Sequence, residues 1–141
     1  MRDLLAAIHL ARAVSPAAAI TDNTVFVSQI VDRRGYDGLV FAVLTGVLAD
    51  ADATFAVAMY HGDDPSLSDA DAVPADQLSG TLSQAGFAFG DDDKVRKVGY
   101  RGAKRYVRLT VTPSGNGAAA YVAAVAILGH PATQPTVNPP A

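Results

Sequence analysis

Three groups of side chains in this 141-residue chain have the types and spacing for chemistry. His61 is followed closely by Asp63 and Asp64, an imidazole beside two carboxylates at what reads as a strand end. Such a set could move a proton or begin a metal site. A metal centre needs three or four converging donors, however, and the other histidines, His9 and His130, fall in the two terminal segments. The expectation for Asp63 and Asp64 is therefore a solvated turn in which carboxylates accept backbone N–H groups. Asp91-Asp92-Asp93 could attract a hard cation, yet the alternating ligands, glycine and closing glutamate of an EF-hand are missing. No G-x-S-x-G elbow, P-loop or dinucleotide fingerprint occurs. The chain is thus expected not to be an enzyme, with no catalytic residues, no metal and no cofactor.

The third group is the strongest. Residues 94–112, KVRKVGYRGAKRYVRLTVT, carry seven of the eleven Lys and Arg residues. Arg101, Lys104, Arg105 and Arg108 interleave with Tyr100 and Tyr106, a combination that binds nucleic acid through phosphate contacts and ring stacking. The same six residues could form an interface by pairing with carboxylates. Eleven of the fourteen acids lie between Arg34 and Lys94, a span without Lys or Arg, and the net charge is −3. Nucleic-acid binding draws its affinity from a net positive face, so the favoured expectation is ion pairing within the fold or between subunits, with no nucleic-acid partner. Arginine's planar fork suits such pairs better than lysine.

These groups must be positioned by a mostly β framework. All fourteen acids are Asp and none is Glu, a choice that favours caps and turns over long helices. There is no Cys, hence no disulfide or thiolate site, and no Trp; alanine dominates the apolar half of the composition, which predicts a thin core. The opening residues are interrupted by Asp3, His9 and Arg12 and do not read as a signal peptide, and no apolar run approaches the length of a membrane span. No membrane partner is expected.

Leu4, Leu5, Ile8 and Ala11 recur at helical spacing and Ser15-Pro16 would end a helix over Asp3–Val14, giving residues 1–22 as a short helical arm. From Thr24 the period becomes two. Strands are expected over Thr24–Val31, Leu39–Leu48 (apolar on both faces, with Gly46 a candidate bulge) and Thr54–Tyr60, joined as a meander. Residues 61–93 form a long acidic loop. The basic stretch then reads as a strand pair, Val95–Tyr100 and Lys104–Thr112. Pro113–Gly117 has the composition of a hairpin turn, leading to a strand that carries Tyr121, Ala123, Val125 and Ile127 on one face. The body is therefore residues 23–130, an antiparallel β-sandwich. The tail, 131–141, has too many prolines for regular structure and is expected to be extended.

The order G-Y-D-G-L-V-F (35–41), T-F-A-V (54–57), D-A-V-P-A-D-Q-L-S-G (71–80), V-G-Y-R-G-A-K-R-Y-V-R-L (98–109) and V-A-I-L-G-H-P (125–131) resembles a family of small structural proteins of tailed bacteriophages. The resemblance spans about residues 20–131. It implies a jelly-roll-like sandwich acting as a head decoration, or cement, protein: a homotrimer on the outer surface of the virion's head, with the major capsid protein as partner. The arm and tail, through Leu4, Leu5, Ile8, Pro135 and Val137, would then be capsid contacts. Three other functions stay open at this point: a nucleic-acid-binding β-module, a tail or head–tail joining protein, and a small carbohydrate-binding sandwich exposed on a particle, which the absence of Trp for a sugar platform disfavours.

Overall fold

Eleven β-strands, separated by turns and one short helix, account for the architecture in the computed structural model, which describes residues 3–140. They are β1 (Ile8–Val14), β2 (Phe26–Val27), β3 (Val31–Asp32), β4 (Tyr36–Leu48), β5 (Thr54–Gly62), β6 (Asp71–Ala72), β7 (Leu78–Ser79), β8 (Phe87–Ala88), β9 (Val95–Tyr100), β10 (Tyr106–Ser114) and β11 (Ala120–Pro131). Sheet I runs β1-β11-β4-β9-β7. Sheet II runs β2-β10-β5-β6, with β3 also on β10 and β8 also on β5. All pairings are antiparallel and the two sheets pack face to face, which is the expected β-sandwich. From β4 to β11 the long strands alternate between the sheets, and the last strand lies beside the first, the order of a jelly roll.

That alternation overturns three local expectations. The first three predicted strands do not form a meander, because β3 and β5 belong to sheet II and β4 to sheet I. The basic stretch is not a strand pair: β9 and β10 lie in opposite sheets. Pro113 and Ser114 end β10, and Gly115-Asn116-Gly117 turn a corner between sheets instead of closing a hairpin. Asn116 holds that corner, its side-chain amide donating to the carbonyls of Asp22 (2.9 Å) and Ile20 (3.2 Å). Gly115 supplies the positive φ of 69°.

The helix expected at the N-terminus is also absent. Leu5–Ala7 make one 3₁₀ turn, and Ile8–Val14 then pair with β11. A helix of this length gains little in water, whereas the edge of β11 offers a ladder of hydrogen bonds. The proline-rich tail has no regular structure beyond Pro131 and bends back on the arm, Thr136 donating its N–H to the carbonyl of Ala6 at 3.0 Å and its hydroxyl to that of Ile8. The acidic loop is not structureless either. It contributes β6, β7 and β8, plus a helical turn (Leu82–Ala85) with a capping box between Thr81 and Gln84. These short pieces cover strand edges that would otherwise be open to pairing.

Between the sheets, Phe41 and Val43 of β4, Met59 of β5, Val107, Leu109 and Val111 of β10 and Val122 of β11 are fully buried. The expected bulge at Gly46 is present: Thr45 and Leu48 oppose Val122 and Ala120, three steps against two. The predicted strand Thr24–Val31 is broken at Ser28, whose hydroxyl accepts the Leu109 N–H (2.9 Å) and donates to the Gln29 carbonyl (2.8 Å). Because Phe41 is 0% exposed and Leu44, three residues on, is 53% exposed, their truncations should differ sharply. Phe41→Ala is expected to cost about 3–5 kcal/mol and Leu44→Ala within about 0.5 kcal/mol. Urea unfolding of both variants measures this, and equal shifts of the midpoint would refute the assignment of inner and outer faces.

Candidate functional site

Tyr100 is the hub of the basic stretch and is buried at 2% exposure. Its hydroxyl accepts the Lys104 N–H at 3.0 Å and lies 2.7 Å from Nδ1 of His61. With one lone pair occupied, the assignment that satisfies all three groups has the hydroxyl donating to a neutral His61 protonated on Nε2. Burial, then the nearby Lys104 charge, pushes the His61 pKa below its ordinary value, and burial raises that of Tyr100. Arg33 stacks over the Tyr100 ring at 4.9 Å and donates to the carbonyls of Lys104 (2.9 Å) and Gly102 (3.0 Å). The predicted His61 cluster is thus a structural pivot between β5 and β9.

The remaining cations of the stretch are largely committed within the fold. Lys104 reaches Asp63 at 2.8 Å, and its pKa rises through that contact. Arg105 takes both oxygens of Asp32 (2.8 and 2.9 Å) and stacks on Tyr106 at 5.0 Å. Arg101 donates to the carbonyl of Asp76 at 3.1 Å and Arg96 pairs with Asp91 at 2.8 Å. Of the six interface candidates, Tyr100 and Tyr106 are buried and offer no stacking platform. Arg108 stands apart on the outer face of sheet II, its Nε buried without a partner.

The acids turn out to be scaffolding. Asp69 accepts the N–H groups of Asp63 (2.9 Å) and Asp64 (3.2 Å), and Asp64 accepts from Ser66 and Ser68. These hydrogen bonds lower both pKa values. Asp91 accepts the Ala88 N–H and Asp92 that of Leu48, while the buried Thr45 hydroxyl ties the same loop to β4. Among the described residues no group of three or more His or Asp side chains gathers where a metal ion could sit.

What the sequence reading missed is the outer face of sheet I. Strand register aligns Leu10, Ile127 and Val40 in one row, Arg12, Val125, Ala42 and Lys97 in the next, and Ala123, Leu44 and Val95 in a third. Tyr121 and Val47 extend it, and Val95 is 63% exposed. A shallow hollow of about 420 Å³ lies over Val14, Pro16, Leu44, Val95 and Val125. The signal was present in Leu39–Leu48, apolar in both phases, and in Tyr121–Ile127, whose larger side chains face outward while Val122, Ala124, Ala126 and Leu128 fill the core. The proposed capsid contacts gather at one end of this face. Leu5, Ile8 and Val137 share a small cleft with Leu10, and Leu4, Leu5 and Val137 are mostly exposed, while Pro135 is exposed nearby in the tail.

The architecture places the chain among antiparallel β-sandwiches. No known protein family's profile matches it, and no curated protein matches it in sequence. Solved structures do. The PBSX exported protein XepA superposes with a TM-score of 0.56 over 98% of this chain at 12% identity, and the chain spans 42% of that protein's length. The xylan-binding module CBM15 is similar with a TM-score of 0.43 at 12% identity, over 90% of this chain and 93% of that one. The CBM22-1-GH10 modules of a Clostridium thermocellum xylanase give 0.42 at 12% identity, over 93% and 26% respectively. The likeness to XepA is one of fold.

His61 and the aspartates set two acid windows. A histidine whose folded pKa lies below 6.5 binds its proton more readily in the unfolded chain, so its stabilisation is complete above that pH and is lost below it. Asp32, Asp64 and Asp69 have lowered values, so their contribution is lost only below 3.8. The melting temperature is therefore expected to fall in two stages on acidification. In His61→Asn the upper stage should shrink; an identical fall in the variant would show that His61 is not its source.

Proposed function

We propose that this chain is a non-enzymatic, phage-associated structural protein that attaches to a virion shell through the outer face of sheet I. The observation that carries the reading is that face: an apolar surface four strands wide with no covering element. Four strands by four side-chain rows span roughly 500 Å², an apolar centre with Arg12 and Lys97 at its two edges. Contiguous apolar surface of this extent marks interaction sites. Burying it together with an equal partner area reaches the roughly 1,000 Å² of a specific interface. The fold match to the PBSX exported protein XepA supports the phage-associated part of the reading.

Charge selects the partner. Arg12 and Lys97 stand at the two ends of the central row, both exposed, Arg12 bonded only to the Ser15 hydroxyl. A second copy docked face to face with its strands aligned, about a two-fold axis along or across them, would set these cations against each other, which is unfavourable. The occupant is instead a shell subunit with an apolar surface flanked by carboxylates. The finer form of the proposal, following the resemblance, is a decoration protein trimeric on the outer surface of the head, with Leu4, Leu5, Ile8, Pro135 and Val137 enlarging the contact beyond Leu10. The internal pairing of Arg96, Arg101 and Lys104 supports this over the nucleic-acid reading, because it engages donors that a phosphate backbone running along the stretch would need.

The test uses heads assembled by the encoding phage without this protein. Leu44→Asp with Val125→Asp is expected to lower head binding at least ~100-fold, about 2.7 kcal/mol, with circular dichroism unchanged. Arg12→Asp should weaken binding most at low salt. Full occupancy by the folded double variant would refute the docking face, binding to tails alone would move the proposal to a joining role, and sedimentation of the bound state as a monomer would remove the trimer.

A further inference from the structure

We propose that a cationic cleft at the β3–β4 end of the sandwich binds a single oxyanion group, a phosphate or a carboxylate. The cleft holds about 380 Å³ and is lined by Arg33, Arg34, Tyr36, Asp37, Arg105 and His130. Segments far apart in sequence converge there: the Arg33–Asp37 turn, Arg105 just before β10, and the Gly129-His130-Pro131 end of β11. The convergence is built by pairing. Pro131 is registered with Tyr36, and the Ala132 N–H donates to the Gly35 carbonyl at 2.8 Å.

Three guanidiniums and an imidazole meet two carboxylates here, Asp37 in the cleft and Asp32 beside it. Arg105 spends Nε and one terminal nitrogen on Asp32, and Arg33 spends the same two on the carbonyls of Lys104 and Gly102. Each retains an uncommitted terminal nitrogen. Arg34 makes no side-chain hydrogen bond or ion pair among the described residues, so its whole planar fork is available for two oxygens of one ligand. Arg33 and Arg105 are thus held as fixed charges while Arg34 is the free donor.

His130 adds a second kind of observation. It adopts φ +50°, a left-handed conformation uncommon for a residue with a side chain. Its ring lies so close to Gly38 that a Cβ there would sit 3.0 Å from Cδ2. Backbone strain of this kind is retained where the fold enforces it and clusters at ligand sites. The imidazole lies beside Gly38 at the rim of the cleft. An acid-rich, net negative chain has gathered these cations around a concavity. An oxyanion with the small group that carries it fits the volume.

Two probes distinguish the sources of the oxyanion: inorganic phosphate, and a synthetic peptide reproducing the carboxylate-rich residues 63–76 of this chain. Titration of the whole protein at low ionic strength, followed by amide chemical shifts, should show saturable binding of at least one probe with the largest shifts at residues 33–37 and 129–132. Arg34→Ala, a change at an exposed side chain, should weaken it about tenfold or more. His130→Asn, which keeps a residue tolerant of positive φ, should also weaken it. Phosphate binding alone identifies a phosphate site and peptide binding alone a carboxylate site, either one in support. Absence of saturable binding by both probes, or undiminished binding by folded Arg34→Ala, would overturn the proposal. Leu44→Asp with Val125→Asp should leave this binding intact, so the cleft and the docking face stand or fall separately.

Discussion

The filling of the space between the two sheets is the constraint on which the rest of the structure depends. Alanines make up much of the β11 contribution to the core, Ala120, Ala124 and Ala126, with Phe41 and Met59 as large anchors from β4 and β5. With the interior full, the remaining large apolar side chains of β4 and β11 have only the outside to occupy. Leu44, Tyr121 and Val125 occupy the alternate, outward positions of those strands, so the docking surface and the hydrophobic core are two faces of the same sheet.

Electrostatics serve the same frame. The long excursion after β5 holds many aspartates, and most of those that form bonds use them for local turns: Asp69 for Asp63 and Asp64, Asp64 for two serines, Asp91 for Ala88. Short carboxylates reach neighbouring backbone N–H groups without leaving the turn, a task for which glutamate is a poorer fit. The basic residues then clamp these turns to the strand ends, Lys104 to Asp63 and Arg96 to Asp91. Exposed pairs of this kind contribute little stability. Their consequence is geometric, because they fix where the acidic excursion lies against the sheet edges.

Much of the fold was legible. The period-two patterns in Phe55, Val57 and Met59 and in Val107, Leu109 and Val111 marked inner faces correctly, since a half-buried strand writes its burial into alternate residues. Which strands pair was not legible, because a turn such as Gly115-Asn116-Gly117 has the same composition whether it closes a hairpin or crosses between sheets. Ile8–Val14 misled because alanine-rich spacing scores as helix, while the free edge of β11 that captures it lies more than a hundred residues away. The candidate site was half legible. The charge complementarity of the basic stretch was readable, but Tyr100 is buried through its contact with His61, a partner 39 residues distant. The outer face of sheet I needed the register of four strands before its rows could be assembled.

The interleaving of β11 between β1 and β4 has a consequence for how the protein is made. Of the eleven strands described, the earliest made, β1, and the central strand of sheet I, β4, share a partner, β11, that is made after all the others. Until residues 120–131 emerge, β1 has no neighbour and one edge of β4 is open, so an unfinished chain displays apolar surface and unpaired backbone at once. Non-local pairing of this order delays folding until translation has passed β11 and leaves the nascent chain open to association with its neighbours on a polysome. Expression of this sandwich is thereby sensitive to the speed with which its final strand arrives.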